Sequence, residues 1–237
     1  MYQYNISFHD TMHTTKPTGA EIGNISNHLA ETQMDYRELA YAVGEAGCSF
    51  CPAVYHGKRK AENFKSQQLI GLDFDNGVPF HIIQQRAEHY HLKMLFAYRT
   101  FSDTAEHEKF RVVFALQHQI TDSFTARSVV SIFMKIFENC DEACKDSARL
   151  FFGGKGLLHL ADEPHEISQG EIILALAAYM ADKYDNKHYT RELQKFYTVN
   201  HIRFEKNHPV TTDQGSFIRE TSPQTAHSHA SDKPKNG

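Results

Sequence analysis

Gln67-Gln68-Leu69-Ile70-Gly71-Leu72-Asp73-Phe74-Asp75-Asn76-Gly77 is the stretch on which the reading of this chain turns. A short apolar run closed by the turn pair Asn76-Gly77 makes Gln68–Asp75 a strand. Residues two apart on a strand point the same way. Asp73 and Asp75 therefore face one side, and Phe74 faces the core. Two carboxylates this close repel each other unless a cation sits between them. Hard oxygen donors favour Mg2+ or Mn2+ in that place. Asp is also ordinary chemistry ahead of an Asn-Gly turn. What gives the pair weight is the buried run before it, which fixes both acids at the lip of a sheet.

Two further stretches carry polar groups on or beside apolar strands. In Tyr98–Leu116 (YRTFSDTAEHEKFRVVFAL), Ser102 and His107 lie in a polar turn between strands Lys93–Phe101 and Phe110–Leu116. Lys109 and Arg111 alternate into the second strand and project on one face. Together they offer a point charge and a bidentate fork to a polyanion, although a solvated hairpin would read the same way. In Asp146–Gly154 (DSARLFFGG), Asp146 stands before the strand Arg149–Phe152 and could be a third carboxylate, with Asp141 as its rival. The turn GGKG that follows lacks the spacing and the Ser or Thr of a phosphate-binding P-loop.

Outward from these stretches, strands and helices alternate. Tyr2–Phe8 reads as a strand, Thr15–Gly19 as a loop, and 20–44 as one helical pattern. Gly47–Glu62 is irregular or a hairpin. Helices are expected at Pro79–His91, Ser123–Asn139, Glu171–Tyr184 and Arg191–Phe204. This alternation excludes an all-helical fold and leaves α/β or α+β. Beyond about Val210 the composition turns polar, and 210–237 is expected to be a disordered tail.

The 237 residues suffice for one substantial core or two small subdomains sharing one. No apolar run reaches the length of a membrane span, and the N-terminus has no signal-peptide pattern, so the cytoplasm is the expected compartment. The net charge of -4 rules out a globally basic nucleic-acid binder. Template contact would need a local patch, for which Lys58, Arg59, Lys60 and Lys65 are the candidates. Cys48, Cys51, Cys140 and Cys144 form C-x2-C and C-x3-C pairs without Gly-rich knuckles, which makes buried thiols the expected reading and zinc the lesser one.

Taken in order, QQLIGLDFDNG, YRTFSDTAEHEKFRVVFAL and DSARLFFGG resemble the catalytic core of archaeo-eukaryotic primases, especially the primase-polymerases of plasmids, phages and other mobile elements. The resemblance covers roughly 49–156. It implies an α+β fold, an N-terminal α/β unit against an RRM-like sheet, with 1–209 as the catalytic domain. It implies a DNA-dependent primase or polymerase that transfers nucleotides from NTPs or dNTPs onto a single-stranded DNA template with two Mg2+ or Mn2+ ions. By the resemblance Asp73, Asp75 and Asp146 are the catalytic metal ligands, and His107 lies by the nucleotide phosphates with Ser102, Lys109 and Arg111. The chain departs from the family's second motif, in which Ser and His are one residue apart and not five. A helicase or replication initiator encoded separately would be the implied partner, and the chain would be a lone module or a piece of a longer protein. Two other readings share the D-x-D strand or the sheet. A haloacid-dehalogenase-type phosphatase would need Thr or Val where Gly77 stands and a later acidic pair better than Asp162-Glu163. A non-catalytic RRM-like binding module would have no need of both Asp73 and Asp75.

Overall fold

The computed structural model describes residues 2–200 and 202. The chain is α+β and builds two antiparallel sheets. The smaller holds β1 (Gln3–His9), flanked by β2 (Ala30–Asp35) and β3 (Ser49–Cys51). The larger has the order β4 (Ala53–Tyr55), β5 (Phe64–Phe74), β7 (Phe110–Ile120), β6 (Phe96–Thr100), β8 (Gly154–Leu160). β9 (Glu166–Ile167) runs parallel to the far half of β7, past the end of β6.

The expected helix over 20–44 is two helices, α1 (Gly19–His28) and α2 (Tyr36–Gly44), with β2 between them. In Ala30-Glu31-Thr32-Gln33-Met34-Asp35 only Met34 is buried, and the rung Met34–Tyr4 of the ladder to β1 seats it in the core. Asp35 then restarts the helix by accepting the Arg37 N–H at 2.9 Å. A helical period read straight across this stretch misses a local alternation decided by tertiary pairing.

β5 is four residues longer at its start than the apolar run suggests and ends at Phe74, so Asp75 lies just past the strand. β5, α3 (Phe80–His89), β6 and β7 form one β-α-β-β unit with β7 between β5 and β6. One face of this sheet packs on α4 (Ser123–Phe137), where Phe114 meets Phe133 and Phe137 at centroid distances of 5.1 and 5.0 Å. Asp122 caps α4 by accepting the Thr125 N–H at 2.7 Å. α5 (Gln169–Lys183), opened by a Ser168–Glu171 capping box, packs against α4. α6 (Asn186–Val199) begins five residues before the expected Arg191, because Asp185 caps it, and 201, 203 and 204 of the expected helix lie outside the described residues.

The opposite face of the large sheet receives α2 and the segment around Phe151. The strand expected at Arg149–Phe152 is reduced to a single bridge, Phe151 to Phe50, with the two rings stacked 5.7 Å apart. The expected GGKG turn instead opens β8, which pairs along β6. The two sheets close on each other at Gly153, where an added Cβ would lie 2.3 Å from the Gly47 carbonyl carbon. The expected tail, 210–237, lies outside the described residues. Among the described residues no helix is long and apolar enough to cross a membrane.

Backbone cannot give way as a flexible side-chain tip can. Gly153→Ala should therefore lower the urea midpoint by an amount equivalent to about 1–3 kcal/mol at unchanged slope. A midpoint equal to the parent's would show that the close approach is not a constraint.

Candidate active site

The register of the large sheet builds the site. Asp73 on β5 is directly opposite Arg111 on β7, and Arg111 is directly opposite Tyr98 on β6. Residues paired in this way share a face at short range. Asp73 is only 4% exposed and Arg111 only 9%. Arg111 Nη2 donates to Asp73 Oδ2 at 3.3 Å, and Nε stands 3.1 Å from Oδ1, off the hydrogen-bond direction. Arg111 Nη1 donates to the Phe152 carbonyl, and its guanidinium lies over the rings of Phe151 and Tyr98. Burial works against this charge, but Asp73 outweighs it and raises the Arg111 pKa. Arg111 is thus consumed in holding Asp73. The sequence reading gave it to a nucleotide, because alternation shows which face a side chain takes and not what stands across the sheet.

A turn between α4 and the Phe151 bridge completes the surroundings of Asp73. The Asp73 N–H donates to Cys144 Sγ at 3.3 Å, and the Asp73 carbonyl accepts the Asp141 N–H at 2.8 Å. Arg149 Nη2 donates both to Asp73 Oδ2 at 3.0 Å and to Asp141 Oδ2 at 2.6 Å. Burial pushes the Asp141 carboxyl up, but the Ala143 N–H and Arg149 outweigh it and hold the pKa below the ordinary carboxylate range. Burial pushes the thiols of Cys140 and Cys144 up to about 12 each. Cys48 and Cys51 donate to the carbonyls of Asp10 and Ser147.

A cleft of about 400 Å3 opens at this end of the large sheet. Its walls bring together Asp73, Asp75, Ser102, Lys109 and Arg111 of the expected residues. Asp141, Arg149 and Lys16 also line it. Asp146 does not. It is exposed, and its Oδ1 accepts the Ala148 N–H at 2.9 Å as a turn cap. Of the two acids weighed from sequence, the one in the cleft is Asp141. His107 is exposed outside the lining, where its Nε2 bonds the Asp75 carbonyl at 2.9 Å and its ring covers Gly77, so it braces the Asn76-Gly77 turn. Asp103, which the sequence reading passed over, anchors the Ser102–Lys109 loop. Its oxygens accept the Lys109 N–H at 2.9 Å and Arg99 Nη1 at 3.2 Å, and its carbonyl accepts Lys155 Nζ.

Of the four cations expected to meet a template, Arg59 bonds the Ala148 carbonyl and Ser26 Oγ, and Lys65 pairs with Glu31 at 2.8 Å. Lys60 makes a loose, exposed contact to Glu62 at 3.5 Å, and Lys58 is exposed. Lys16 and Lys109 have no ion-pair partner among the described residues and face the cleft.

Of the acids lining the cleft, the exposed Asp75 is the one open to a divalent ion. Asp73 Oδ1 accepts no hydrogen bond, but it is buried and stands 3.1 Å from Arg111 Nε, which already supplies its counter-charge. Mg2+ commonly takes one or two carboxylates and completes its shell with water and phosphate oxygens. Asp141 has its counter-charge in Arg149 on one oxygen and accepts the Ala143 N–H on the other. Among the described residues no three His, Cys, Asp or Glu groups converge on one point.

No protein-family model and no curated protein matches the sequence. Among solved structures, the AEP domain of the cyanophage S-2L primase-polymerase (PrimPol, PP-N190) is similar with a TM-score of 0.42 and 12% identity, over 62% of this chain and 81% of that one. A likeness at that level transfers no residue role.

Lys109 and Arg111, expected from sequence to do one job, should separate in stability. Arg111→Met leaves a buried carboxylate short of charge and should cost about 3–5 kcal/mol in urea unfolding. Lys109→Ala, half exposed, should stay within about 0.5 kcal/mol of the parent. Equal small losses would remove the structural role of Arg111.

Proposed function

We propose that this chain is a metal-dependent, template-directed nucleotidyltransferase of the archaeo-eukaryotic primase kind, with a nucleoside triphosphate bound in the cleft that Asp73, Asp75, Lys16 and Lys109 line. The observation that carries the reading is the meeting of two chemistries on one wall. The D-x-D acids stand beside the ammonium groups of Lys16 and Lys109 and the exposed Ser102. The order of the three sequence stretches supports it, since each delivers side chains to the same cleft.

Asp75 is the residue that would hold a divalent ion. When bound there, the ion supplies Lewis-acid chemistry, drawing charge from the triphosphate and raising the acidity of an attacking hydroxyl. Lys16 and Lys109 neutralise the triphosphate, and Ser102 offers it a hydroxyl donor. Arg149 places a fixed positive charge where negative charge builds on the transferring group. Asp103 is a positioning residue that presents Lys109 and Ser102 by fixing the loop between β6 and β7. Lys58 and Lys60 are the cations available to a single-stranded DNA template. The RRM-like character of the fold resides in the β5-α3-β6-β7 unit, to which β8 adds on the β6 edge.

The test is synthesis by the purified chain on single-stranded DNA with labelled NTPs or dNTPs and Mn2+ or Mg2+, with and without a primer. Template-dependent polymer is expected. Asp75→Asn should cut incorporation by about 100-fold or more at an unchanged unfolding midpoint, the size of loss seen when a preorganised charge is removed from a transition state. Lys109→Ala should raise the nucleotide KM by about tenfold, a loss of near 1.4 kcal/mol of ground-state binding. A gel shift without polymer would replace the enzyme with a binding module, and release of inorganic phosphate alone would replace it with a phosphatase.

A further inference from the structure

The two arginines of the cleft are held in different ways. Arg111 is fully engaged, since its Nη1 donates to the Phe152 carbonyl and its Nη2 and Nε face Asp73. Arg149 is held by one nitrogen alone. Its Nη2 lies 3.0 Å from Asp73 Oδ2 and 2.6 Å from Asp141 Oδ2, both distances of charge-assisted hydrogen bonds. Asp141 is itself fixed, because its N–H donates to the Asp73 carbonyl at 2.8 Å and its Oδ1 accepts the Ala143 N–H at 3.0 Å. Among the described residues Arg149 Nη1 and Nε have no hydrogen-bond partner, and the side chain, 25% exposed, lines the cleft. A guanidinium carries its five N–H donors in one rigid plane, so holding one nitrogen from two sides restricts where the others point. Of the charges lining the cleft, Asp73 answers Arg111 and Asp141 answers Arg149. Lys16 and Lys109 against Asp75 then leave an excess of positive charge.

We propose that Asp141 is a positioning residue for anion binding: with Asp73 it holds Arg149 by one nitrogen, so that the free donors of the guanidinium, together with Lys16 and Lys109, receive the phosphoryl oxygens of a polyphosphate directly. The inference rests on the reading that this cleft takes a triphosphate. An arginine left unheld samples many rotamers and loses that freedom when it binds, whereas one held beforehand has already lost it. The consequence runs against simple charge counting. A carboxylate beside an anion should weaken binding by repulsion. Asp141 strengthens it, because the guanidinium it places gives the anion more than the carboxylate takes away. The contact is made by side chains of this chain alone and is independent of an ion at Asp75.

Calorimetric titration of the full chain with inorganic tripolyphosphate, in a chelator of divalent ions, tests this. The parent should bind, and Arg149→Ala should bind about tenfold more weakly or worse. Asp141→Asn keeps an acceptor for the Ala143 N–H but sets an amide where Arg149 had a carboxylate oxygen. It should bind about threefold to tenfold more weakly than the parent. In an Arg149→Ala background the same change should weaken binding no further, which a merely structural role would not produce. Affinity of Asp141→Asn equal to or above the parent's, or an equal loss in both backgrounds, would overturn the proposal. Should Asp141→Asn fail to fold, Arg149→Lys decides, because an ammonium meets the two acids but has no second edge to offer. Affinity as low as that of Arg149→Ala supports the proposal, and parental affinity overturns it. Binding that appears only when Mg2+ is added would overturn it and leave nucleotidyl transfer standing. No tripolyphosphate binding with or without Mg2+ would remove the triphosphate reading together with this one.

Discussion

A carboxylate can be taken out of water at the centre of a sheet only if positive charge goes with it, because its solvation is otherwise lost outright. Asp73 meets that condition through Arg111, its directly opposed partner on the neighbouring strand. Much of the remaining architecture follows from this pair. Arg111 needs a second acceptor and finds the Phe152 carbonyl, which draws the segment after Arg149 across the sheet. It needs apolar cover and has Tyr98 and Phe151. Phe151 in turn sits on Gly71, where a Cβ would approach its ring to 2.9 Å, and stacks on Phe50 of β3. The small sheet is thus tied to the large one through the arginine's own surroundings, and the cleft is the space left beside that junction.

The Asp73 backbone is held as firmly as its side chain. Its N–H and carbonyl face the turn after α4, which receives one through Cys144 Sγ and answers the other with the Asp141 N–H. The thiol is unreactive here because burial favours its neutral form, and its function is that of a soft hydrogen-bond acceptor. Glu138 and Asn139, with φ of 26° and 63°, turn the chain sharply between α4 and this contact. Non-glycine residues take up such angles only where their surroundings enforce them.

β5, β6 and β7 with α3, α4 and α5 were legible in sequence because their apolar periods are long, whereas β8 opens on what reads as a GGKG turn. The first motif was legible for the same reason, since an apolar strand closed by Asn-Gly leaves little choice. Three features were hidden, each for a distinct physical reason. β2 was masked because a six-residue edge strand with one buried side chain cannot override a helical period on both sides of it. Asp141 was passed over for Asp146 on the basis of distance to a strand that exists only as one bridge. The acid nearer in sequence caps a turn, while the other is carried into the cleft by backbone bonds to Asp73. Lys16 had no signal at all. It sits in a polar loop, and only the packing of Gly47 against the His13 carbonyl, where a Cβ would come within 1.9 Å, shows why that loop lies along the cleft.

The meeting of Gly153 with Gly47 has an evolutionary consequence. Gly47 has a positive φ of 77° and its Cβ would meet the His13 carbonyl, while a Cβ on Gly153 would meet the main chain of Gly47. The obstruction is main chain in both cases, so neither position takes a side chain unless backbone moves. A lineage with this arrangement keeps both glycines. Loss of either would mark a descendant in which the sheets have moved apart and the cleft has been rebuilt for other chemistry.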